Sequence, residues 1–191
     1  LKRVEKRLSE VRIVVSGTGA AGVACVKTMF DAGAKHMLCC DSNGALYPGR
    51  PEGMNPIKEE LALLTNPEGL QLPLKEALVG ADVFIGLSAG NLLEPKDLAV
   101  MAPRSCVFAL ANPVPEVNPW EALDYAQIVA TGRSDFPNQI NNALVFPGIF
   151  KGALSVRARK ITREMRLAAS VAIAGLIPDD ELADQYIIPG I

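Results

Sequence analysis

Apolar positions occur along the chain in short runs that are typical of buried strands. Runs of strand length, most of them rich in β-branched residues, occupy residues 11–16, 35–40, 83–87, 106–110 and 128–130. Short apolar runs that are followed within a few residues by turn-forming residues favour strands over helices. We therefore predict five buried strands.

Segments between and after these strands have helical spacing or helix-like composition. Gly33 and Gly80 stand where left-handed caps would end two of the helices, and Thr162 is in the position of an N-cap. Strands that alternate with helices in this way predict a doubly wound parallel sheet with helices on both faces. The predicted helices cover residues 20–31, 58–64, 74–79, about 95–101, 142–154 and 162–176.

A glycine-rich turn follows the first predicted strand. It has the pattern G-x-G-x-x-G, opens a helix, and is followed by Asp41 at the end of the next strand, 19 positions after Gly22. In this context Gly17 permits a tight turn, Gly19 lets the backbone approach a pyrophosphate, and Gly22 allows close helix packing. The helix N-terminus would attract the phosphates. The pattern predicts a Rossmann-type dinucleotide site that includes Gly17, Thr18, Gly19, Ala20, Ala21 and Gly22.

Asp41 is the candidate acid for the adenosine ribose. Its carboxylate would accept hydrogen bonds from the ribose hydroxyls and repel a 2′-phosphate, which favours NAD. Replacing Asp41 with alanine is therefore expected to weaken NAD more than NADP. Ser42 and the nearby basic residues Lys35 and Arg50 leave NADP open.

Three further loops follow strands at the edge where such sheets bind ligands. Ser88 lies in a small-residue loop after the third strand, and Asn112 follows the fourth strand immediately before Pro113. An amide held extended before proline can donate to a substrate carboxylate or accept from a hydroxyl. Asn141 and Asn142 end a polar segment at a helix start. Turn formation and helix capping are the alternative roles of these residues.

Length and charge narrow the class of protein. The 191 residues suffice for one domain with a sizeable core, and 49% of them are apolar. A net charge of −2, with both signs mixed along the chain, argues against a nucleic-acid or membrane-surface partner. The apolar runs are much shorter than a membrane span, and the first residues do not resemble a signal peptide.

The cysteines and the single histidine carry no sign of a metal site. Cys25, Cys39, Cys40 and Cys106 form no C-x-x-C pair and lie among apolar residues, so we expect small buried side chains in a reducing cytoplasm. His36 is expected at the surface, at the entry to a strand.

Taken together, the motifs resemble the malic enzyme family in its bacterial form. They occur in the family's order and span residues 11 to about 188. The segments ATGRSDFPNQINN and FPGIF are highly specific, whereas the glycine turn is shared with many dehydrogenases. The resembling segments are VVSGTGAAG, CDSNGALY, EGMNPIK, GADVFIGLS, FALANPVPE, ATGRSDFPNQINN and FPGIFKGAL.

The resemblance implies oxidative decarboxylation of L-malate to pyruvate and CO2, with reduction of NAD or NADP and a divalent Mg or Mn ion. Thr18 stands where the family commonly has alanine, a change that should not prevent binding. The implied substrate-binding residues are Asn112, Asn142 and, sharing that role, Asn141. The implied cofactor-binding residues are the glycine turn, Asp41, Ser88 and Asn112.

The resemblance also implies that functional parts lie outside this chain. In the family, the metal ligands and the tyrosine and lysine that transfer protons precede the glycine turn, and residues 1–16 contain no such motif. We therefore expect residues 1–191 to be the dinucleotide-binding domain of a larger enzyme, without the N-terminal metal and catalytic domain. This domain would contain no catalytic residue and no metal ligand and be inactive alone, while the whole enzyme would form a homo-oligomer.

Two other functions remain open on the sequence alone. One is a Rossmann-type dehydrogenase acting on a different hydroxy acid or on an amino acid, and the other is a non-catalytic NAD(P) sensor. Asn112 and Asn142 discriminate against the sensor, because a sensor needs no amides where the substrate would lie.

Overall fold

One six-stranded sheet forms the centre of the molecule. The computed structural model describes residues 1–190 of the chain. The strand order across the sheet is β3-β2-β1-β4-β5-β6. The strands are β1 (Arg12–Ser16), β2 (His36–Asp41), β3 (Gly44–Ala45), β4 (Val83–Gly86), β5 (Cys106–Ala109) and β6 (Ile128–Thr131).

Helices connect the strands and complete the C-terminal part of the described chain. The α-helices are α1 (Ala20–Asp31), α2 (Pro56–Thr65), α3 (Leu74–Ala77), α4 (Pro119–Ala122), α5 (Phe146–Ser155) and α6 (Arg163–Ala174). Three 3-10 helices cover Lys2–Val4, Pro95–Val100 and Asn142–Leu144.

The order in which strands are added to the sheet switches sides at β1: β2 and β3 lie on one side of it, and β4, β5 and β6 lie on the other. Strand β1 pairs in parallel with β2 on one side and β4 on the other, so that Val15 lies opposite both Cys39 and Ile85. The carboxyl ends of the parallel strands meet at one edge, and the crevice at such a switch point is where open α/β sheets bind ligands. The topology therefore places the glycine turn, Asp41 and the loops after β4, β5 and β6 along one edge.

Both faces of the sheet are covered, as predicted. On one face Val26 of α1 and Leu61 of α2 pack in a core cluster with Val15 and other strand residues. On the other face Ala77 of α3 and Ala122 of α4 pack in a second cluster around strand residues such as Phe84. Residues of one strand are divided between the two clusters because successive side chains of a strand point to opposite faces of the sheet.

The predicted doubly wound parallel sheet is confirmed, with one short antiparallel strand added at its edge. Strand β3 pairs antiparallel with β2, through Cys40–Ala45 and Asp41–Gly44. The chain turns back directly because Asp41 Oδ1 accepts a hydrogen bond from Asn43 N at 2.9 Å and Gly44 adopts a φ of +94°. A glycine-rich segment predicted as a loop thus adds a short strand.

Several predicted helices are shorter or tighter than the sequence pattern indicated. The segment from Pro95 is a 3-10 helix, and α4 was not predicted although Asn118 caps it by accepting from Trp120 N at 3.1 Å. The predicted helix over 142–154 is divided into a 3-10 helix and α5. Pro147 explains where α5 can begin, since proline is tolerated only in the first turn.

The predicted cap of α6 and the exposed position of His36 are confirmed. Thr162 caps α6 by accepting from Met165 N at 3.3 Å. His36 is exposed at the first position of β2. The four cysteines are free thiols; Cys39, Cys40 and Cys106 are buried as expected, whereas Cys25 is only half-buried because it lies on helix α1. Among residues 1–190, no helix combines the length and the apolar character that a membrane crossing requires.

Candidate functional site

The glycine turn connects the end of β1 to the start of α1. Gly17 has a φ of +108°, and a Cβ added there would lie 2.5 Å from the carbonyl oxygen of Leu87. A Cβ added to Gly22 would lie 1.9 Å from the carbonyl oxygen of Gly17. Glycine is therefore required at both positions by the backbone packing itself, as the motif predicts.

The same turn leaves the N-terminus of α1 open. Gly19 is the N-cap, and no atom lies within 4 Å of a Cβ built on it. Ala20 and Ala21 are exposed, Thr18 is half-buried, and no side chain of the described residues caps α1. The first backbone N–H groups of a helix have no intrahelical partner and carry partial positive charge, so this turn can bind phosphate oxygens.

Asp41 lies at the end of β2 in a cluster with two cations. Arg50 donates from Nη1 to Oδ1 at 2.9 Å and from Nη2 to Oδ2 at 2.5 Å. Lys58, in the first turns of α2, donates from Nζ to Oδ2 at 2.6 Å. The side chains of Arg50 and Asp41 are only 5% and 10% exposed. The carboxylate is thus held from two sides.

The charges of this cluster change what Asp41 implies. Burial raises the pKa of Asp41, but the hydrogen bonds from Arg50 and Lys58 outweigh burial and lower the pKa to about 2. One negative and two positive charges give the cluster a net charge of +1. The carboxylate therefore does not present an uncompensated negative charge to a 2′-phosphate, and the predicted preference for NAD loses much of its electrostatic basis.

Ser88 lies in the loop after β4, next to the glycine turn. It is exposed, and its Oγ is 3.1 Å from Ser16 Oγ at the end of β1. Its backbone N–H donates to the carboxylate of Glu116 at 3.0 Å. The loop is thus fixed against neighbouring elements on both sides.

Asn112 lies in the loop after β5, and the Asn112–Pro113 peptide bond is cis. The side chain is exposed, and Nδ2 donates to Leu110 O at 3.2 Å. A Cβ added to Gly132 would lie 2.9 Å from Asn112 Nδ2. The loops after β5 and β6 therefore approach each other closely at this amide.

The two consecutive asparagines have different surroundings. Asn141 Oδ1 accepts from Ala143 N at 2.9 Å and caps the 3-10 helix Asn142–Leu144, which is the alternative role considered for it. Asn142 is exposed at the first position of that helix. Of this pair, Asn142 has the more accessible side chain, while Asn141 is engaged in local structure.

Two residues of this edge were not recognised from the sequence. Lys58 pairs with Asp41 from 17 positions away, and the only sequence signal was a basic residue in a predicted helix. Glu116 is fully buried against the loops after β4 and β5, and its signal was an acid after a proline-bounded turn. Sequence spacing does not reveal either contact.

No metal site is formed by the described residues. Within residues 1–190, no three His, Cys, Asp or Glu side chains lie close enough together to hold an ion. The acids at the carboxyl edge are engaged with cations or backbone amides instead.

The sheet order and the glycine turn define the class of protein as an α/β domain of the dinucleotide-binding type. The family described as "Malic enzyme, NAD binding domain" matches residues 1–191. The chain belongs to this family, and the resemblance stated from the sequence is confirmed.

Named relatives use both nicotinamide cofactors. The chain is 50% identical over 192 residues to an NAD-dependent malic enzyme of Geobacillus stearothermophilus, covering 100% of this chain and 40% of that protein. It is 43% identical over 196 residues to an NADP-dependent malic enzyme of Rhizobium meliloti (strain 1021), covering 93% of this chain and 25% of that protein.

A solved structure shares the fold. The crystal structure of an NAD-dependent malic enzyme from Thermotoga maritima matches with a TM-score of 0.91 and 48% identity, covering 97% of this chain and 48% of that chain. The chain thus spans less than half the length of these three proteins.

Proposed function

We propose that this chain is the cofactor-binding part of a malic enzyme that converts L-malate to pyruvate and CO2 while reducing NAD or NADP. The observation that carries this proposal is the open N-terminus of α1 behind a turn that tolerates only glycine at Gly17 and Gly22. Such a turn can bind a pyrophosphate, and the position of Asp41 at the end of the next strand supports a contact with the ribose.

The residues of the carboxyl edge fit a dinucleotide, which supplies the hydride acceptor when bound. The glycine turn would hold the pyrophosphate, and Asp41 the adenosine ribose. Asn112 and Asn142 would orient malate, because an amide can donate to a carboxylate and accept from a hydroxyl. Asn141 supports Asn142 by capping the same 3-10 helix.

The family also implies Mg or Mn, which the described residues do not fit. We propose that the metal ligands and the groups that transfer protons lie in another part of a larger enzyme. For that enzyme we expect a homo-oligomer in the cytoplasm, without a nucleic-acid or membrane partner.

We infer that the Asp41 cluster accepts both cofactors. Asp41 already accepts four hydrogen bonds, so the ribose hydroxyls of NAD would replace one of its present donors, while Lys58, 19% exposed, can turn a remaining N–H toward a 2′-phosphate. The net charge of +1 favours the additional phosphate rather than opposing it.

Binding and turnover by the purified chain test the proposal. Calorimetry is expected to show binding of NADH and NADPH, whereas malate, Mn²⁺ and NAD(P) together should give no reduced nicotinamide. The variant Gly148→Ala, purified in the same way, should bind both dinucleotides as the unmodified chain does, because no atom lies within 4 Å of the added Cβ. Robust malate-dependent reduction by this chain would contradict the assignment of proton transfer elsewhere, and failure to bind either dinucleotide would contradict the function itself.

A further inference from the structure

Glu116 lies completely buried in the loop after β5, with 0% of its surface exposed. Its Oε1 accepts from Ser88 N at 3.0 Å, and its Oε2 accepts from Ala111 N at 3.0 Å. The first amide belongs to the loop after β4 and the second to the loop after β5. One carboxylate therefore bridges the two loops, and each of its oxygens has its own backbone donor.

The surrounding backbone is built around this side chain. A Cβ added to Gly86 would lie 2.3 Å from Glu116 Cδ, so glycine at the end of β4 makes room for the carboxylate. The carbonyl oxygen of Glu116 accepts from Leu92 N at 2.7 Å and Leu93 N at 2.9 Å. Glu116 thus holds both the beginning and the end of the segment that contains Ser88.

The two bridged loops lie on the side of β1 opposite to Asp41. The strand order places β2, with Asp41 at its end, on one side of the glycine turn and β4 and β5 on the other. A dinucleotide with its adenosine at Asp41 and its pyrophosphate at the turn extends its nicotinamide half over β4 and β5. Ser88 and Asn112, next in sequence to Ala111, therefore face that half.

We propose that Glu116 is a positioning residue that holds the Ser88 and Asn112 loops in the arrangement that receives the nicotinamide half of the cofactor. This role rests on the proposed function. Glu116 itself would not touch the ligand and would act through the two loops. A carboxylate suits the role because it offers two acceptor oxygens to two donors. Glutamine would place an NH2 group against one backbone N–H and leave that donor unpaired.

The variant Glu116→Gln tests this role when two ligands are compared by calorimetry. NADH contains the nicotinamide half, whereas ADP keeps only the adenosine and two phosphates. If the loops are correctly placed about a tenth of the time, the Kd of NADH rises about tenfold. The Kd of ADP should change less than about threefold. Glu68→Gln, in an exposed position, is the matched control and should change neither value.

The outcomes separate this inference from the function on which it rests. A Glu116→Gln variant that loses NADH and ADP by the same factor, or loses neither, would overturn the positioning role alone. An unmodified chain that binds neither ligand would overturn the dinucleotide function and the positioning role together.

A second measurement needs no variant and remains decisive if Glu116→Gln does not fold. In hydrogen exchange followed by NMR, the Ser88 and Ala111 amides of the unmodified chain should exchange more slowly than the neighbouring Ala89 amide. NADH, but not ADP, should slow the Ser88 amide further. Exchange of Ser88 at the rate of Ala89, or no response to NADH, would refute the role of Glu116.

Discussion

The ion pair between Asp41 and Arg50 makes a measurable contribution to stability that depends on pH. The pKa of Asp41 falls from 3.8 to about 2 in the folded chain, because the bonds from Arg50 and Lys58 outweigh the effect of burial. This difference corresponds to about 2 kcal/mol of folding free energy at neutral pH. Asp41→Asn also leaves Arg50, 5% exposed, without its ionic partner. We expect the variant to lose about 2 to 4 kcal/mol at pH 7.

The sign of the pH dependence follows from the lowered pKa. Above about pH 5 the Asp41 carboxyl is ionised in both the folded and the unfolded chain, and its full contribution is present. As the pH falls toward about 2, the unfolded chain takes up the proton first, so the contribution is lost. The difference between the unmodified chain and Asp41→Asn should therefore be constant from pH 7 to about pH 5 and shrink below pH 4.

Urea unfolding followed by circular dichroism measures this difference at each pH. Asp179→Asn is the matched control, because Asp179 pairs with Lys2 at 2.8 Å but is 73% exposed. Exposed pairs contribute less than about 1 kcal/mol, so this variant should differ little from the unmodified chain. A loss at pH 7 no larger for Asp41→Asn than for Asp179→Asn, or a loss that persists unchanged at low pH, would refute the reasoning.

Two further variants test the turn and the C-terminal segment. Gly22→Ala should abolish dinucleotide binding in calorimetry, because the added Cβ would lie 1.9 Å from Gly17 O. The control Gly148→Ala should bind normally, and its folding free energy should become more favourable by up to about 1 kcal/mol, because alanine suits helix α5 better than glycine. Equal binding by the two variants would contradict this account of the turn. Asn138→Ala should cost about 2 to 3 kcal/mol and speed limited proteolysis near the C-terminus, because it removes bonds to Val129 O, Asp184 O and Ile187 N. An unchanged digestion pattern would contradict that role.

Much of the fold follows from local sequence patterns. The apolar run over β1 and the helical spacing over α1 each specify an element, and the glycine turn between them identifies the ligand edge. The cap of α6 by Thr162 is likewise a local interaction. Such features depend on residues three or four positions apart, which periodicity captures.

The features that the sequence did not predict depend on contacts between residues far apart in the sequence. Glu116 meets Ser88 N across 28 positions, and Lys58 meets Asp41 across 17. Strand β3 needs only two residues and a glycine with positive φ, too little for a periodic signal. No pattern within one element shows which charge or amide an acid will face after folding.

Cofactor choice illustrates why these distant contacts matter, since it depends on what surrounds Asp41. Asp41→Asn should raise the ratio of NADP to NAD affinity, as expected from the sequence, but here because Lys58 is released toward the 2′-phosphate. Lys58→Gln should lower that ratio by about tenfold, the effect of removing one charged hydrogen bond. Since Asp41 and Lys58 are in contact, the two changes should not be additive in the double variant. No effect of Lys58→Gln, measured by calorimetry, would show that Lys58 does not reach the phosphate, and additive effects would show that Asp41→Asn does not act through Lys58.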